Sequence, residues 1–215
     1  MSETEIDFAS LLCSRLCHDL LSPVGAMNNG IELLADEHDP DMRQRCMDLL
    51  TESAKAAADK LKFFRLAFGA AGGFGAEVDP NEAKLVIEPM VTSSGRTALD
   101  WAVPAQMMPK RAVKILLNLV LLANDTLVRG GTLFVGAETR AGEQEIVIQA
   151  SGPKILMDSA VREALTGQLD PEAVDTRTAA AWMAHKLAVQ DGGMLQLAEP
   201  DDEHLVIGAL IRNYG

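Results

Sequence analysis

The 215-residue sequence predicts an α+β protein in which an N-terminal helical hairpin precedes a sandwich, a sheet with helices on one face. Two amphipathic helical patterns occupy the stretch before Gly69. A glycine-rich segment, Gly69–Gly75, then breaks the composition and marks a domain boundary. Strand-like and helix-like segments alternate beyond it. We therefore divide the chain into a hairpin domain, residues 1–72, and a second domain, residues 76–215.

The first helix is predicted over about residues 5–36, because its apolar residues recur at helical spacing. On a helical wheel they lie opposite His18; they are Ala9, Leu16, Leu20, Met27, Ile31 and Leu34. The polar segment Asp36–Asp41 contains Pro40 and predicts a turn. A second helix follows to about Gly69. Each apolar stripe is wide enough to need more than one neighbour, which favours a homodimer in which two hairpins form a four-helix bundle.

The second domain shows alternating strand and helix signals with Gly-Gly turns between them. The predicted strands are Lys84–Glu88, Ala98–Val103, Thr132–Thr139, Glu145–Ala150, Met194–Ala198 and His204–Ile211. The predicted helices are Pro109–Leu127, Asp158–Leu165 and Thr176–Gln190.

Composition narrows the class of protein. The chain is 48% hydrophobic, enough for a core, and its net charge is −12 without a basic stripe, which argues against nucleic-acid or anionic-membrane binding. The start, MSETEIDF, does not resemble a secretory signal, and the longest apolar stretch, residues 112–123, is too short to span a bilayer. Three cysteines fit a reducing compartment. We expect a cytoplasmic protein.

His18 is the candidate nucleophile, because it lies on the polar face of the first helix in a row with Ser14, Ser22, Gly25 and Asn29. These small or polar neighbours leave room for another protein to approach the ring. A neutral imidazole can accept a phosphoryl group when one ring nitrogen is free and the other is held by an acceptor. Asp19, next in sequence, could accept the Nδ1–H and leave Nε2 to attack. The alternative is an ordinary surface histidine.

Pro23 lies inside the predicted first helix and removes the backbone hydrogen bond to the carbonyl of Asp19. Such a proline costs roughly 3 kcal/mol in a helix interior. We therefore expect a bend beside His18. Counting back from the turn places Lys60 of the second helix level with His18.

Cys13, Cys17 and His18 are close enough on one helix to suggest a metal site. No fourth ligand is evident, because Cys46 lies on the other helix. Small buried thiols at a helix–helix boundary are commoner, and we expect no bound metal.

The stretch HDLLSPV resembles the phosphoacceptor box of two-component histidine kinases. The longer stretch LCSRLCHDLLSPVGAMNNGIELL is similar to the ChpT-type histidine phosphotransferases of alphaproteobacteria, and this similarity runs to the C-terminus. The resemblance implies that His18 is phosphorylated, with Asp19 as its acidic neighbour, Ser22 as the polar group and Pro23 as the kink.

Residues 110–215 resemble the ATP-binding, Bergerat-like domain of histidine kinases, but three nucleotide-binding motifs are altered. Asn118 stands at the first asparagine of the Mg²⁺-binding helix, but Leu122 replaces the second, and Ala150 replaces the adenine-reading aspartate. Lys154 stands at a motif glycine, and residues 176–181 replace the glycine-rich lid before Trp182. Leucine cannot ligate a hard cation, and alanine offers adenine no carboxylate. The resemblance therefore implies a degenerate domain that binds no nucleotide.

The resemblance implies a phosphorelay intermediate. Its donor would be the receiver domain of a hybrid cell-cycle kinase (CckA type), and its acceptors response regulators of the CtrA and CpdR type. The chain would bind no cofactor, since the receiver supplies Mg²⁺. Arg15, Lys62 and Arg65 could contact the acidic receiver, although they could equally be ordinary surface residues. The alternatives are a dimeric scaffold that sequesters regulators without catalysis and an atypical histidine kinase.

Overall fold

A computed structural model describes residues 3–69, 77–140 and 142–212. The helices are α1 (Glu3–Asp36), α2 (Pro40–Phe68), α3 (Pro80–Thr92), α4 (Lys110–Thr126), α5 (Ser159–Thr166) and α6 (Ala179–Val189). The strands are β1 (Glu77–Val78), β2 (Thr97–Ala102), β3 (Met108–Pro109), β4 (Gly131–Arg140), β5 (Glu143–Ser151), β6 (Met194–Leu197) and β7 (His204–Arg212). This order confirms the predicted α+β class, a helical hairpin followed by a sheet-containing domain. Within the described ranges, no helix is both long and apolar enough to cross a membrane.

Helices α1 and α2 form the predicted hairpin, and local side chains close its turn. The Asp39 carboxylate accepts hydrogen bonds from the backbone N–H groups of Asp41 and Met42, and Pro40 occupies the first turn of α2. At the other end of the turn, the Arg43 guanidinium donates to the carbonyl oxygens of residues 34 and 37. The turn is therefore defined by its own sequence.

The first helix is only partly covered by the second. Of the six apolar residues predicted opposite His18, four are partly buried, namely Leu16, Leu20, Met27 and Leu34. The other two, Ala9 and Ile31, are exposed in the single chain. One neighbouring helix is thus insufficient to cover the apolar surface of α1.

The second domain is built on a five-stranded sheet in the order β2-β4-β5-β7-β6. Strand β2 is parallel to β4, and the other neighbours are antiparallel. Alternate residues of β5 and β7 are buried, which places one face of the sheet against the helices and leaves the other accessible to solvent. A separate pair, β1 and β3, is antiparallel. This arrangement agrees with the predicted sandwich.

The prediction of a strand at Lys84–Glu88 is wrong, because these residues lie within α3. The β-branched pair Val86–Ile87 suggested a strand, but Asp79 caps a helix whose first turn contains Pro80. The buried positions of α3 follow a helical period; they are Pro80, Ala83, Val86, Ile87 and Val91. The missed signal was the Asp-Pro start of the helix.

The remaining predicted elements are present with shifted ends. The helix predicted over Thr176–Gln190 begins only at Ala179, because the residues before it form a hydrogen-bonded turn. The predicted domain boundary in Gly69–Gly75 lies, apart from Gly69, outside the described residues.

The end of α2 belongs to the core of the second domain. Four of its residues, Phe63, Phe64, Leu66 and Ala67, are buried in the same apolar cluster as α4 and the sheet. The rings of Phe63 and Phe64 pack edge to face, with their centroids 5.7 Å apart. The hairpin is therefore anchored to the sandwich by a continuous core.

We expect the substitution Phe63→Ala to lower the free energy of unfolding by about 3–5 kcal/mol, because it opens a cavity where the hairpin meets the sandwich. Urea denaturation measures the loss. The control is Leu85→Ala, at a helical side chain that is 72% exposed, which should change stability by less than about 0.5 kcal/mol. Similar losses in the two variants would contradict the continuous core.

Candidate functional site

The imidazole of His18 projects from α1 into solvent. Its side chain is 82% exposed, and the residues of the predicted row, Ser14, Ser22, Gly25 and Asn29, are exposed as well. A Cβ atom added at Gly25 would meet nothing within 4 Å. The surface around the ring is therefore open to a protein partner, as the sequence predicted.

One ring nitrogen of His18 has a partner. Nδ1 lies 3.3 Å from the Oδ1 atom of Asp19, as the sequence predicted. A carboxylate can only accept here, so this contact favours the neutral tautomer that carries its proton on Nδ1. That tautomer leaves the lone pair of Nε2 free. Among the described residues, Nε2 has no hydrogen-bond partner.

The second oxygen of Asp19 is held by Arg15. The Nε atom of Arg15 donates to Asp19 Oδ2 at 2.9 Å, and Nη2 donates to Asp125 Oδ2 at 2.6 Å. Burial by itself lowers the pKa of the Arg15 guanidinium. The carboxylates of Asp125 and Asp19 raise it by more, so the pKa is raised overall. Arg15 is 15% exposed and engaged with two carboxylates of its own chain, which leaves it little surface for the receiver contact that we predicted.

Asp125 brings the second domain to this site. It lies in the last turn of α4, which contains no basic residue, so its charge faces the negative end of the helix dipole. Burial raises the pKa of the Asp125 carboxyl, and Arg15 opposes that rise. The side chain retains 45% exposure, so solvent moderates both effects. Arg15 is the cation that compensates this unfavourable position.

Lys60 satisfies the carbonyl that Pro23 leaves without a donor. Helix α1 continues through the buried Pro23, whose nitrogen cannot donate to the Asp19 oxygen. The Nζ atom of Lys60 donates to that oxygen at 2.7 Å from α2. Lys60 therefore lies level with His18, as the counting about the turn predicted. We call Arg15, Asp19, Lys60 and Asp125 the four-charge cluster; its formal charges cancel.

The other predicted basic contacts lie on α2. Lys62 is 59% exposed and pairs with Asp59 at 3.1 Å, and Arg65 is exposed in the last turn. Both are accessible to a partner, and a role in receiver binding stays a prediction.

The sequence reasoning missed Asp125, because no local pattern links it to a residue 110 positions earlier. The available signal was weak: an aspartate in the last turn of a helix that has no basic residue there. The sequence correctly predicted that Lys60 lies level with His18, but it did not predict the hydrogen bond from Lys60 to the Asp19 carbonyl oxygen.

The cysteines differ from expectation. Cys46 is buried, whereas Cys13 and Cys17 are exposed in the single chain. Within the part of the chain that the structure describes, no group of three or more His, Cys, Asp or Glu residues is arranged to hold a metal ion.

The residues at the nucleotide-site positions have structural roles. Asn118, the motif asparagine that remains, is fully buried, and its Nδ2 atom donates to the carbonyl oxygens of Lys114 at 2.8 Å and Ala67 at 3.4 Å. Leu122 and Ala150 are buried in the apolar core. This asparagine therefore links α4 to the end of α2.

The segment that replaces the lid is closed by short-range hydrogen bonds. The N–H of Asp175 donates to Thr178 Oγ1, and the N–H of Thr178 donates back to Asp175 Oδ1, both at 2.9 Å. Although partial burial opposes it, the hydrogen bonds that the Asp175 carboxylate accepts from Thr178 and Arg177 lower the pKa of Asp175. Arg177 also pairs with Asp158 before α5 at 3.3 Å. These contacts fix the chain where a glycine-rich lid would need freedom.

We expect Lys60→Met to lower the free energy of unfolding by about 1–3 kcal/mol, because it leaves the Asp19 carbonyl without a donor. The control is Lys62→Met, two residues along α2, which removes an exposed ammonium and should cost less than about 0.5 kcal/mol. Urea denaturation of both variants measures the difference, and equal losses would show that the Lys60 hydrogen bond has no special importance.

The chain is similar to known phosphotransferases along most of its length. Residues 80–203 match the family described as histidine phosphotransferase C-terminal domain. The protein phosphotransferase ChpT of Brucella abortus (strain 2308) is 34% identical over 204 residues, 95% of each protein. The solved structure of a bacterial phosphotransferase superposes with a TM-score of 0.83 at 32% identity and covers 97% of both chains. A more remote likeness is to the histidine kinase AdeS of Acinetobacter baumannii, with a TM-score of 0.47 at 11% identity over 92% of this chain and 98% of that one. The extent of the family match and of the curated relative places this chain in the histidine phosphotransferase family.

Proposed function

We propose that this phosphotransferase carries a phosphoryl group on His18 between the aspartates of two receiver domains. The observation that carries the proposal is the geometry of one ring: an exposed imidazole whose Nδ1 faces a carboxylate and whose Nε2 faces solvent. A ring so placed can meet an aspartyl phosphate presented by another protein. Phosphoryl transfer requires little more from this side, since it depends mainly on position and charge.

The reaction follows from this placement. The Nε2 lone pair attacks the phosphorus of a receiver's aspartyl phosphate, the N–P bond forms, and the P–O bond to the aspartate breaks, so that the carboxylate leaves with the bonding pair. The ring keeps its Nδ1 proton and gains positive charge, which the adjacent Asp19 carboxylate stabilises. In the return step, the carboxylate of a second receiver attacks phosphorus, and the N–P bond breaks.

We propose the hybrid-kinase receiver (CckA type) as donor and response regulators of the CtrA and CpdR type as acceptors. The name of the Brucella relative supports the phosphotransferase activity but not these partners. Lys62 and Arg65 are the exposed basic residues that we assign to the acidic receiver surface. We do not assign Arg15 to this surface, because it binds Asp19 and Asp125 of its own chain.

We assign the Mg²⁺ of the reaction to the receiver. Hard cations require several oxygen ligands, and among the described residues no three His, Cys, Asp or Glu side chains are grouped to hold a metal ion. We further propose that the second domain binds no ATP. The internal hydrogen bonds of Asn118, the buried Leu122 and Ala150, and the closed turn at Thr178 support this proposal.

We also propose that two copies pair through their hairpins. Exposed residues lie at seven- and four-residue spacings along α1 and at seven-residue spacings along α2, as in helix bundles. They are Ile6, Cys13, Cys17, Val24 and Ile31 on α1, and Met47, Ala54 and Leu61 on α2. A soluble monomer rarely leaves such a surface open. At 100° per residue, Val24 is about 120° from His18 around α1, so pairing leaves the histidine accessible.

Incubation with a phosphorylated receiver should label the wild-type protein, and a second receiver should then remove the label. The variant His18→Gln should take up no label, because glutamine has no nucleophilic nitrogen lone pair. The control, His38→Gln at an exposed histidine of the turn, should behave as wild type.

Each alternative outcome of this experiment has a definite meaning. Equal labelling of wild type and His18→Gln would overturn the assignment of His18. Tight receiver binding without any label would establish a scaffold. Labelling of His18 from ATP alone, or ATP binding by calorimetry, would overturn the proposal that the second domain binds no nucleotide.

The double variant Val24→Glu/Ile31→Glu should be monomeric in sedimentation equilibrium, because four charges would otherwise be buried between two hairpins. Leu85→Glu, on the exposed face of α3, is the control and should leave the dimer intact. Far-ultraviolet circular dichroism verifies the fold of each variant. A wild-type protein that is monomeric at tens of micromolar, or a double variant that remains dimeric, would contradict this interface.

A further inference from the structure

We propose that Asp125, a residue of the second domain, positions His18 through Arg15 and Asp19 and thereby selects the reactive tautomer of its ring. This inference rests on the proposed function, since it concerns the same histidine. It gives the second domain a role in phosphoryl transfer that does not require a nucleotide.

The contacts form an unbroken chain from one domain to the other. Asp125 Oδ2 accepts from Arg15 Nη2 at 2.6 Å, Arg15 Nε donates to Asp19 Oδ2 at 2.9 Å, and Asp19 Oδ1 lies 3.3 Å from His18 Nδ1. Arg15 and Asp19 lie one turn apart on α1, and their side chains are 15% and 18% exposed. Both are thus much less accessible than a usual surface ion pair, and solvent screens them less.

Arg15 uses different nitrogens for its two carboxylates, and this affects which Asp19 oxygen is available to His18. Nη2 points toward Asp125, so Arg15 binds Asp19 through Nε, and this bond uses one oxygen of Asp19. The other oxygen stays available to Nδ1–H of His18. An arginine free of other partners prefers to bind a carboxylate through two parallel hydrogen bonds, which occupy both oxygens.

Loss of the Asp125 charge therefore has a specific consequence. The freed Nη2 turns to Asp19, the two groups form a two-bond pair, and the second of these bonds competes with His18 Nδ1–H for Asp19 Oδ1. The ring then moves toward the tautomer with the proton on Nε2, whose lone pair is on the wrong nitrogen for attack. Lys60 keeps the backbone of Asp19 in place, since its bond is to the carbonyl and does not involve the carboxylate.

The position of Asp125 supports a role beyond stability. An aspartate in the last turn of α4 opposes the helix dipole, so it is unfavourable for the second domain alone. Its described hydrogen-bond partner is the arginine of α1. The second domain thus carries an unfavourable charge at the point where that charge can act on the histidine.

The decisive experiment is ¹⁵N NMR of the His18 ring in full-length protein at about pH 8.5, where an ordinary imidazole is neutral. The ¹⁵N shifts of the two nitrogens report which one bears the proton. We expect Asp125→Asn to raise the Nε2–H population and to slow phosphoryl uptake from a phosphorylated receiver roughly 3- to 10-fold, with receiver affinity unchanged. Asp125→Glu should restore both quantities, because it restores the charge.

The matched control is Asp158→Asn, at an aspartate that pairs with Arg177 in the same domain and is 42% exposed, close to the 45% of Asp125. It should change neither the tautomer nor the rate. In an Asp19→Asn background, Asp125→Asn should have no further effect, since the chain of contacts is already broken.

An unchanged tautomer and rate in Asp125→Asn, or equal effects of Asp158→Asn, would overturn the inference. So would a further shift from Asp125→Asn in the Asp19→Asn background. If the wild type accepted no phosphoryl group, the proposed function would fail, while the tautomer measurement would still decide whether Asp125 acts on the ring.

Discussion

The site depends on one guanidinium that is shared between two carboxylates. Arg15 joins Asp19 of its own helix to Asp125 of the second domain, and Asp19 in turn faces the ring of His18. Because Lys60 supplies a second positive charge, the four-charge cluster is formally neutral, and no net charge is partly buried. The exposed ring of His18 thus lies beside an ordered set of partly buried charges.

The second domain is held against this site by apolar packing. Phe63, Phe64 and their neighbours on α2 extend the sandwich core into the hairpin, and Asn118 adds a hydrogen bond to the carbonyl of Ala67. An asparagine that the resemblance associates with Mg²⁺ thereby stabilises a contact between helices. A residue at a nucleotide-motif position therefore helps to anchor the hairpin to the second domain.

The proline in α1 illustrates how a local cost is offset at a distance. Pro23 deprives the Asp19 carbonyl of its helical donor, and Lys60 supplies another from α2. The carbonyl that receives this bond belongs to the residue that contacts His18. The proline thus makes the backbone beside His18 depend on a donor from the second helix.

The hairpin, its turn, the exposure of His18 and the position of Asp19 beside the ring were all predictable from the sequence, because they depend on periodicity and on contacts within one or two turns. The sequence also predicted most strands, but Val86 and Ile87 were assigned to a strand where Asp79 and Pro80 begin a helix. Three features became known only from the folded chain: Arg15 binds Asp125, Lys60 binds the Asp19 carbonyl, and α2 ends inside the sandwich core. These contacts join residues about 40 to 110 positions apart, and a local pattern contains no information about which distant side chain will complete them.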